Sequence, residues 1–241
     1  MTHVLAQRKY RFAAVLAIAT ARTFGLALVA AFIVLAVASA AIRAVQGGDS
    51  EMAYGVIQAI PVAMIAIGWL RLARAYPAAI TNGMTRKEFL TGFALFGAAT
   101  VLATAALTQL AVLALDLSPF QAEGVHVGFY GLTPLESAVI PILYFAVGTA
   151  TGAVMLRFAN RWVGAAVCAV LVSAVFYRQL AYYAAMNLFG LQSGGEDGTV
   201  FQYPMVDLYA LLPYLDLVVA LAFALFAWAL LARAPMRPKQ A

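Results

Sequence analysis

The sequence has few charged residues for its length. Only 10% of its 241 residues are charged, whereas 65% are hydrophobic. A soluble domain has about 25% charged residues and about 45–50% apolar ones. Because a soluble core cannot bury so large an apolar excess, the composition excludes an ordinary soluble domain.

Residues that build catalytic or metal centres are also scarce. The chain has one cysteine and two histidines, so an internal disulfide is excluded. His3 and His126 lie far apart, which argues against a paired-histidine metal site or a serine–histidine pair. Gly92 and Gly97 have the spacing of a phosphate-binding loop, but Ala98 stands where that motif needs lysine. We therefore expect no catalytic residue, no metal and no cofactor in this chain.

Long apolar runs are what the sequence does contain. A stretch of about 20 apolar residues crosses a hydrocarbon layer roughly 30 Å thick, and six stretches approach or exceed this length. The sequence therefore predicts an all-α polytopic membrane protein, with residues 1–241 forming a single transmembrane domain. The six predicted spans are 23–43, 52–71, 89–115, 136–156, 162–183 and 212–233.

The basic residues alternate with acidic ones along the chain. Apart from Arg43 and Arg178, they fall in four groups, within 8–22, 71–87, 157–161 and 233–239. The positive-inside rule places these groups in the cytoplasm. Both termini are then cytoplasmic and the protein lies in the plasma membrane. Since the basic residues form no single patch, the net charge of +5 does not indicate a nucleic-acid partner.

Residues 1–22 are basic and then apolar. They lack a convincing cleavage site, so we do not expect a removable signal peptide. Two arrangements remain open at this stage. The segment lies on the cytoplasmic membrane surface as an interfacial helix, or it extends the first span.

Some predicted spans carry polar or small residues at helical spacing. Thr100, Thr104 and Thr108 lie on one face of the third span and form a candidate substrate pathway. In the alternative, their hydroxyls bond their own helix or a neighbouring one. Gly148 and Gly152 form a small-residue pair, which predicts close helix packing within the subunit or between two subunits.

Ionisable residues are nearly missing from the spans. Arg178 is placed to extend to the outer interface, so we expect it to anchor the fifth span there. The expected lack of buried ion pairs argues against an ion-coupled pump, because proton or sodium coupling usually needs an ionisable residue in the membrane.

The segment between spans two and three, AYPAAITNGMTRKEFL, carries a recognisable motif. It resembles the loop at the same place in exporter-type ATP-binding-cassette permeases. There, a glycine precedes a Ser/Thr–Arg pair and an aromatic residue begins the third span. Gly83, Thr85, Arg86 and Phe89 match this pattern. The six-span layout also resembles that of small exporter permeases encoded beside an ATPase in Gram-positive bacteria.

This resemblance implies a permease subunit that exports an amphiphile such as a lipid, a peptide antibiotic or a drug. A separate cytoplasmic ATPase would bind ATP and Mg, and a second, identical or homologous permease would complete the pathway. A short helix at Arg74 to Met84 is expected to contact the ATPase. In the alternative, the segment is an ordinary loop whose basic residues fix topology. The implied coupling residues are Arg74, Tyr76, Pro77, Asn82, Gly83, Met84, Thr85, Arg86 and Lys87.

Two other functions remain open. The first is a non-transporting membrane scaffold or sensor that binds a ligand or partner through outer loops near 117–134 and 191–213. The second is an intramembrane enzyme, for which Glu136 and the threonines of the third span are the only candidate set. Copurification of an ATPase would separate the permease from the scaffold.

Overall fold

The structure is a computed structural model. It describes residues 7–46, 52–116, 134–158, 160–178, 180–182, 184 and 208–232. Over these ranges the chain is helical and has no β-strand, which confirms the all-α prediction. The helices are α1 (Arg8–Thr20), a π turn (Ala21–Gly25), α2 (Leu26–Gln46), α3 (Met52–Thr81), α4 (Arg86–Asp116), α5 (Pro134–Arg157), α6 (Arg161–Phe176) and α7 (Leu208–Ala232).

The first helix is continuous from Arg8 to Ile42, with the π turn joining α1 to α2. Residues 8–22 therefore continue into α2 within one helix of 35 residues, and α1 does not form a separate helix. Whether these residues lie on or within a membrane stays a prediction. The start of this helix packs closely against α4. A Cβ atom at Gly92 would lie 2.9 Å from Cδ1 of Phe12, so only glycine allows α1 to approach this closely.

The helix α5 lies at the centre of the bundle. It packs most extensively against α3 and α7, and it also contacts α4 and α6. Leu143, Val147, Ala150 and Val154 are fully buried in these contacts. Many side chains of α5 are short, so neighbouring helices approach it from several sides.

Five helical stretches are long and apolar enough to cross a membrane: residues 8–42, 55–81, 86–114, 134–157 and 211–232. The shorter apolar helix α6 has 16 residues, or about 24 Å at 1.5 Å per residue. The helix ends because the backbone of Tyr177 leaves helical geometry, with φ −88° and ψ 0°. Of the two predicted outer loops, 117–134 and 191–213, residues 117–133 and 191–207 lie outside the described residues, and residues 208–213 belong to α7.

The turns between α3 and α4 and between α5 and α6 gather at one end of the bundle, together with the last residue of α7. Nη1 of Arg86 donates a hydrogen bond of 2.7 Å to the carbonyl oxygen of Ala232 and so ties α4 to α7. Arg74, Lys87 and Arg161 are exposed at this end. We call it the basic end.

Candidate functional site

The α3–α4 turn contains most of the residues that the family resemblance selects. Gly83 has φ +73°, a left-handed conformation that glycine adopts without a steric penalty. The amide of Gly83 donates to the carbonyl of Ile80 at 3.0 Å, and the amide of Met84 donates to the carbonyl of Ala79 at 3.0 Å. These two bonds form a Schellman motif, which ends α3 at a defined residue.

The next residues begin α4 with a capping box. The amide of Glu88 donates to Oγ1 of Thr85 at 3.2 Å, and the amide of Thr85 donates to Oε2 of Glu88 at 2.9 Å. Each side chain therefore satisfies an amide at the start of the helix. Because α3 is terminated and α4 initiated within a few residues, the turn has a defined shape.

The expected short helix at Arg74 to Met84 is not a separate element. Residues 74–81 are the last two turns of α3, which runs without interruption for 30 residues. The expectation of a separate helix is therefore wrong. Pro77, which cannot donate a backbone hydrogen bond, lies inside α3 without interrupting it.

The predicted coupling residues do not all face outward. Tyr76 is buried and packs edge-on against Phe89, with ring centroids 5.1 Å apart. Arg86 is half-buried because it bonds the end of α7. Met84 is also half-buried. The exposed members of the predicted set are Arg74, Pro77, Asn82, Gly83, Thr85 and Lys87.

A cleft of about 480 Å³ opens beside the turn. One wall comes from α1 and includes Arg8 and Val15, and the other comes from α3 and includes Ala78. Asn82 and Met84, from the turn itself, close one side. The cleft therefore places an apolar concavity next to exposed basic residues.

The three threonines of the candidate pathway lie in α4. Their hydroxyls donate to the carbonyl oxygens of residues four positions earlier, at 2.9 Å for Thr100, 2.8 Å for Thr104 and 2.9 Å for Thr108. The hydroxyl of Thr104 also lies 3.5 Å from the sulfur of Met64. These polar groups are therefore satisfied mainly within α4 itself.

Thr100 and Thr104 nevertheless border a groove of about 500 Å³ between the first helix, α3 and α4. We call it the α1–α4 groove. Most of its lining is aliphatic or aromatic, with Phe32, Ile60 and Leu107 among the larger side chains. Thr108 is not part of this lining. The groove can hold hydrocarbon, but it offers few polar contacts along its length.

Gly148 and Gly152 lie where α5 meets α3. A Cβ atom at Gly148 would lie 2.8 Å from Cα of Ile65, and one at Gly152 would lie 3.3 Å from the carbonyl oxygen of Trp69. On the other helix, a Cβ atom at Gly68 would lie 2.8 Å from the carbonyl oxygen of Phe145. Glycines thus allow direct backbone contact between two helices of the same chain.

A buried ion pair lies between the end of α6 and α7. Nε of Arg178 donates to Oδ1 of Asp216 and Nη2 donates to Oδ2, both at 2.7 Å. The two residues are 6% and 5% exposed. The prediction that Arg178 extends to the outer interface is therefore wrong, because a carboxylate of another helix holds it inside the protein.

Further groups complete this charged centre. Nη1 of Arg178 donates to the hydroxyl of Tyr144 at 3.0 Å and to the carbonyl of Val175 at 2.9 Å. The guanidinium carbon also lies 5.4 Å from the centre of the Tyr144 ring. Tyr182 places its hydroxyl 3.4 Å from Oδ1 of Asp216. The expected lack of buried ion pairs is thus wrong, and it no longer argues against an ion-coupled pump.

Comparison with protein-family models, curated proteins and solved structures finds no match to this chain.

Proposed function

We propose that this chain is the membrane-spanning permease subunit of an ATP-binding-cassette transporter, with six spans and both termini in the cytoplasm of a plasma-membrane protein. In this proposal it exports an amphiphile with energy from a separate ATPase subunit, which supplies the ATP and Mg sites. The observation that carries the proposal is the α3–α4 turn, a defined and exposed structure at the basic end.

The turn suits a mechanical contact because both of its sides are fixed. The Schellman motif holds the end of α3, and the capping box holds the start of α4. A push on Asn82 or Gly83 would therefore move two long helices instead of deforming a loop. The uninterrupted helix α3 extends this movement over about 45 Å, since it has 30 residues.

The packing of α3 gives this movement a route into the rest of the bundle. At Gly68 and Gly148 its backbone lies directly against that of α5, so little side-chain flexibility separates the two helices. Because α5 also contacts α4, α6 and α7, a displacement of α3 would reach most of the other helices.

The exposed basic residues and the cleft would form the ATPase contact. Lys87 and Arg74 would face acidic groups of the ATPase, and an apolar side chain of that partner would enter the cleft beside Asn82. Arg86 has a different role in this proposal, because its bond to Ala232 makes it part of the permease structure. A second permease subunit and membrane lipid would cover exposed apolar side chains such as Val34 and Val37.

Affinity purification of the tagged protein from its own host in mild detergent tests the proposal. Bound proteins would be identified, and ATPase activity would be measured on the eluate. The informative variant is Lys87→Glu, because Lys87 is exposed on the turn. The matched control is Arg161→Glu, which reverses an exposed charge at the same end but on the α5–α6 connection. Substitution of Arg86 is avoided because it would also release α7.

An ATPase that is retained by the native chain and by Arg161→Glu, but lost from Lys87→Glu, would support the permease. If the native chain purifies without an ATPase and the eluate has no activity, the permease proposal fails. The result would then favour a membrane scaffold or sensor. If both charge reversals release the ATPase equally, the proposed contact at the turn is wrong.

A further inference from the structure

We propose that the α1–α4 groove binds a neutral lipid with a free hydroxyl group on a long hydrocarbon chain, and that Oγ1 of Thr104 accepts a hydrogen bond from that hydroxyl. The proposal concerns binding by this chain alone. It therefore holds or fails independently of the ATPase and of the proposed export function.

The size of the groove fits a hydrocarbon chain. On α4 its lining extends from Ala99 to Ala114, which corresponds to about 22 Å along a helix. The volume of about 500 Å³ lies within the range of roughly 300–1,000 Å³ found for small-molecule sites. The groove is thus long enough and large enough to hold the chain of a lipid.

The π turn leaves free space in one part of this groove. Ala21 and Gly25 of the turn belong to the lining. A Cβ atom added at Gly25 would lie at an ordinary contact distance of 3.9 Å from Cβ of Ala21; beyond its chain neighbours and its own helix backbone, it would meet no other described atom within 4 Å. Short π segments inside α-helices are frequent at functional sites, which agrees with a binding role for this part of the first helix.

The lining of the groove favours an uncharged ligand. Among the described residues, the side chains that form it include no acidic or basic group. Arg22 of the π turn and Arg71, which bonds Thr23, are not part of it. Because an ionised group buried in apolar surroundings without a partner is strongly unfavourable, an anionic or cationic headgroup would not enter the groove.

The polar side chains of the lining can accept hydrogen bonds but have no proton left to donate. Within the described part of the chain they are Thr20, Thr100 and Thr104. A hydroxyl has one proton and two acceptor lone pairs. The hydroxyl of Thr20 donates to the carbonyl of Leu16 at 2.8 Å, and those of Thr100 and Thr104 donate within α4. A ligand hydroxyl would supply the missing donor, whereas the acyl tail of a phospholipid would not.

Thr104 is the acceptor most accessible to a ligand. It is half-buried, whereas Thr20 and Thr100 are buried. Its Oγ1 atom lies 2.8 Å from the carbonyl oxygen of Thr100 and 3.5 Å from the sulfur of Met64, so its proton has acceptors within the protein. The remaining lone pair of Oγ1 can therefore accept the hydrogen bond of a bound alcohol.

The test uses the purified full chain in phosphatidylcholine nanodiscs, with a hexadecanol probe that carries a photoreactive diazirine group on its chain. Labelled peptides would be mapped by mass spectrometry after irradiation. Unlabelled hexadecanol, hexadecyl methyl ether and hexadecyl sulfate would be compared as competitors at equal amounts in the bilayer. The ether lacks only the hydrogen-bond donor, and the sulfate carries a permanent charge.

Two variants are compared with matched controls. Thr104→Val removes the acceptor but keeps the branched shape of the side chain. Its control is Thr108→Val, since Thr108 makes the same kind of bond within α4 but does not line the groove. Ala103→Phe fills the groove, and Ala222→Phe, at an exposed position of α7 outside the groove lining, is the control for added bulk.

We expect the probe to label peptides of the first helix, α3 and α4 in the native chain. Hexadecanol should displace it about fivefold more effectively than the ether, which is the ratio given by one net hydrogen bond, and the sulfate should be the weakest competitor. Thr104→Val should remove the difference between alcohol and ether. Ala103→Phe should remove most of the labelling, and both controls should behave like the native chain.

Equal displacement by hexadecanol and its ether in the native chain, or an unchanged ratio in Thr104→Val, would overturn the assigned hydrogen bond. Displacement by the sulfate as effective as that by hexadecanol would overturn the neutral class of ligand. Unchanged labelling in Ala103→Phe would overturn the assignment of the groove. The competitor series uses the native chain, so its result does not depend on whether Ala103→Phe folds.

Discussion

Replacement of Asp216 by asparagine tests whether the ion pair with Arg178 is as deeply buried as the structure shows. Asparagine keeps the shape of the side chain but removes its charge. The cation of Arg178, 6% exposed, would then lose the Asp216 carboxylate, while its bonds to the uncharged hydroxyl of Tyr144 and carbonyl of Val175 would remain.

The expected loss of stability is large. Removing one partner of a buried ion pair costs about 3–5 kcal/mol, because the remaining charge is buried without compensation. Asparagine still offers one acceptor oxygen, so we expect a value near the lower limit, about 3 kcal/mol. This corresponds to a shift of roughly a hundredfold in the unfolding equilibrium. Tyr182→Phe should cost less than about 1 kcal/mol, since its hydroxyl lies 3.4 Å from the carboxylate.

The free energy of unfolding would be measured by denaturant titration in mixed micelles. The matched control is a double variant, Arg178→Met with Asp216→Leu, which removes both charges together. Since neutral replacement of a whole buried pair is often nearly neutral in stability, this variant should recover most of the loss. A change of less than about 1 kcal/mol in Asp216→Asn would refute the buried pair. A double variant as unstable as the single one would refute the electrostatic explanation.

Three further substitutions test the helix contacts and the turn by the same unfolding measurement. Gly148→Ala should destabilise the protein by about 1–3 kcal/mol, because its Cβ atom would lie 2.8 Å from Cα of Ile65; a neutral result would contradict the direct contact of α3 and α5. Gly83→Ala should cost about 1–2 kcal/mol because Gly83 has φ +73°, and a stabilising result would argue against this conformation. Gly55→Ala is the control for both, since among the described residues no atom beyond its chain neighbours and its own helix backbone lies within 4 Å of its added Cβ. Thr85→Ala should cost about 0.5–2 kcal/mol by removing the helix cap, and Thr85→Ser should retain most of the stability if the cap is correctly assigned.

The sequence was sufficient for features that depend on local chemistry. In a hydrocarbon environment, an uncharged run near 20 residues long can satisfy its own backbone N–H and C=O groups by forming a helix. The helical class and most helix positions could therefore be predicted. The turn at Asn82–Gly83 could also be predicted, because glycine allows the left-handed conformation and Thr85 caps the next helix. These signals act over a few residues and do not depend on a distant partner.

Other features depend on residues that are distant in sequence. The charged centre joins Arg178 to Asp216 and Tyr144 from other helices, and hydrophobicity along a single span cannot indicate which helices meet. Opposite charges in two apolar segments near the same end of the bundle were a usable signal, since ionisable groups in membranes tend to pair. The sequence also did not indicate the orientation of the Arg86 side chain, because the carbonyl oxygen that it bonds belongs to the end of α7.

The sequence by itself determined that this chain is helical and apolar enough for a membrane, and that a glycine turn and a helix cap separate α3 from α4. Only the tertiary structure decided that α1 continues into α2, that α5 occupies the centre, and that Arg178 is paired inside the bundle. The physical reason is that helix formation in an apolar chain follows from backbone hydrogen bonding within each segment. Which side chains meet depends instead on how different segments pack. That packing must bring glycine backbones close together and also give each buried charge a partner.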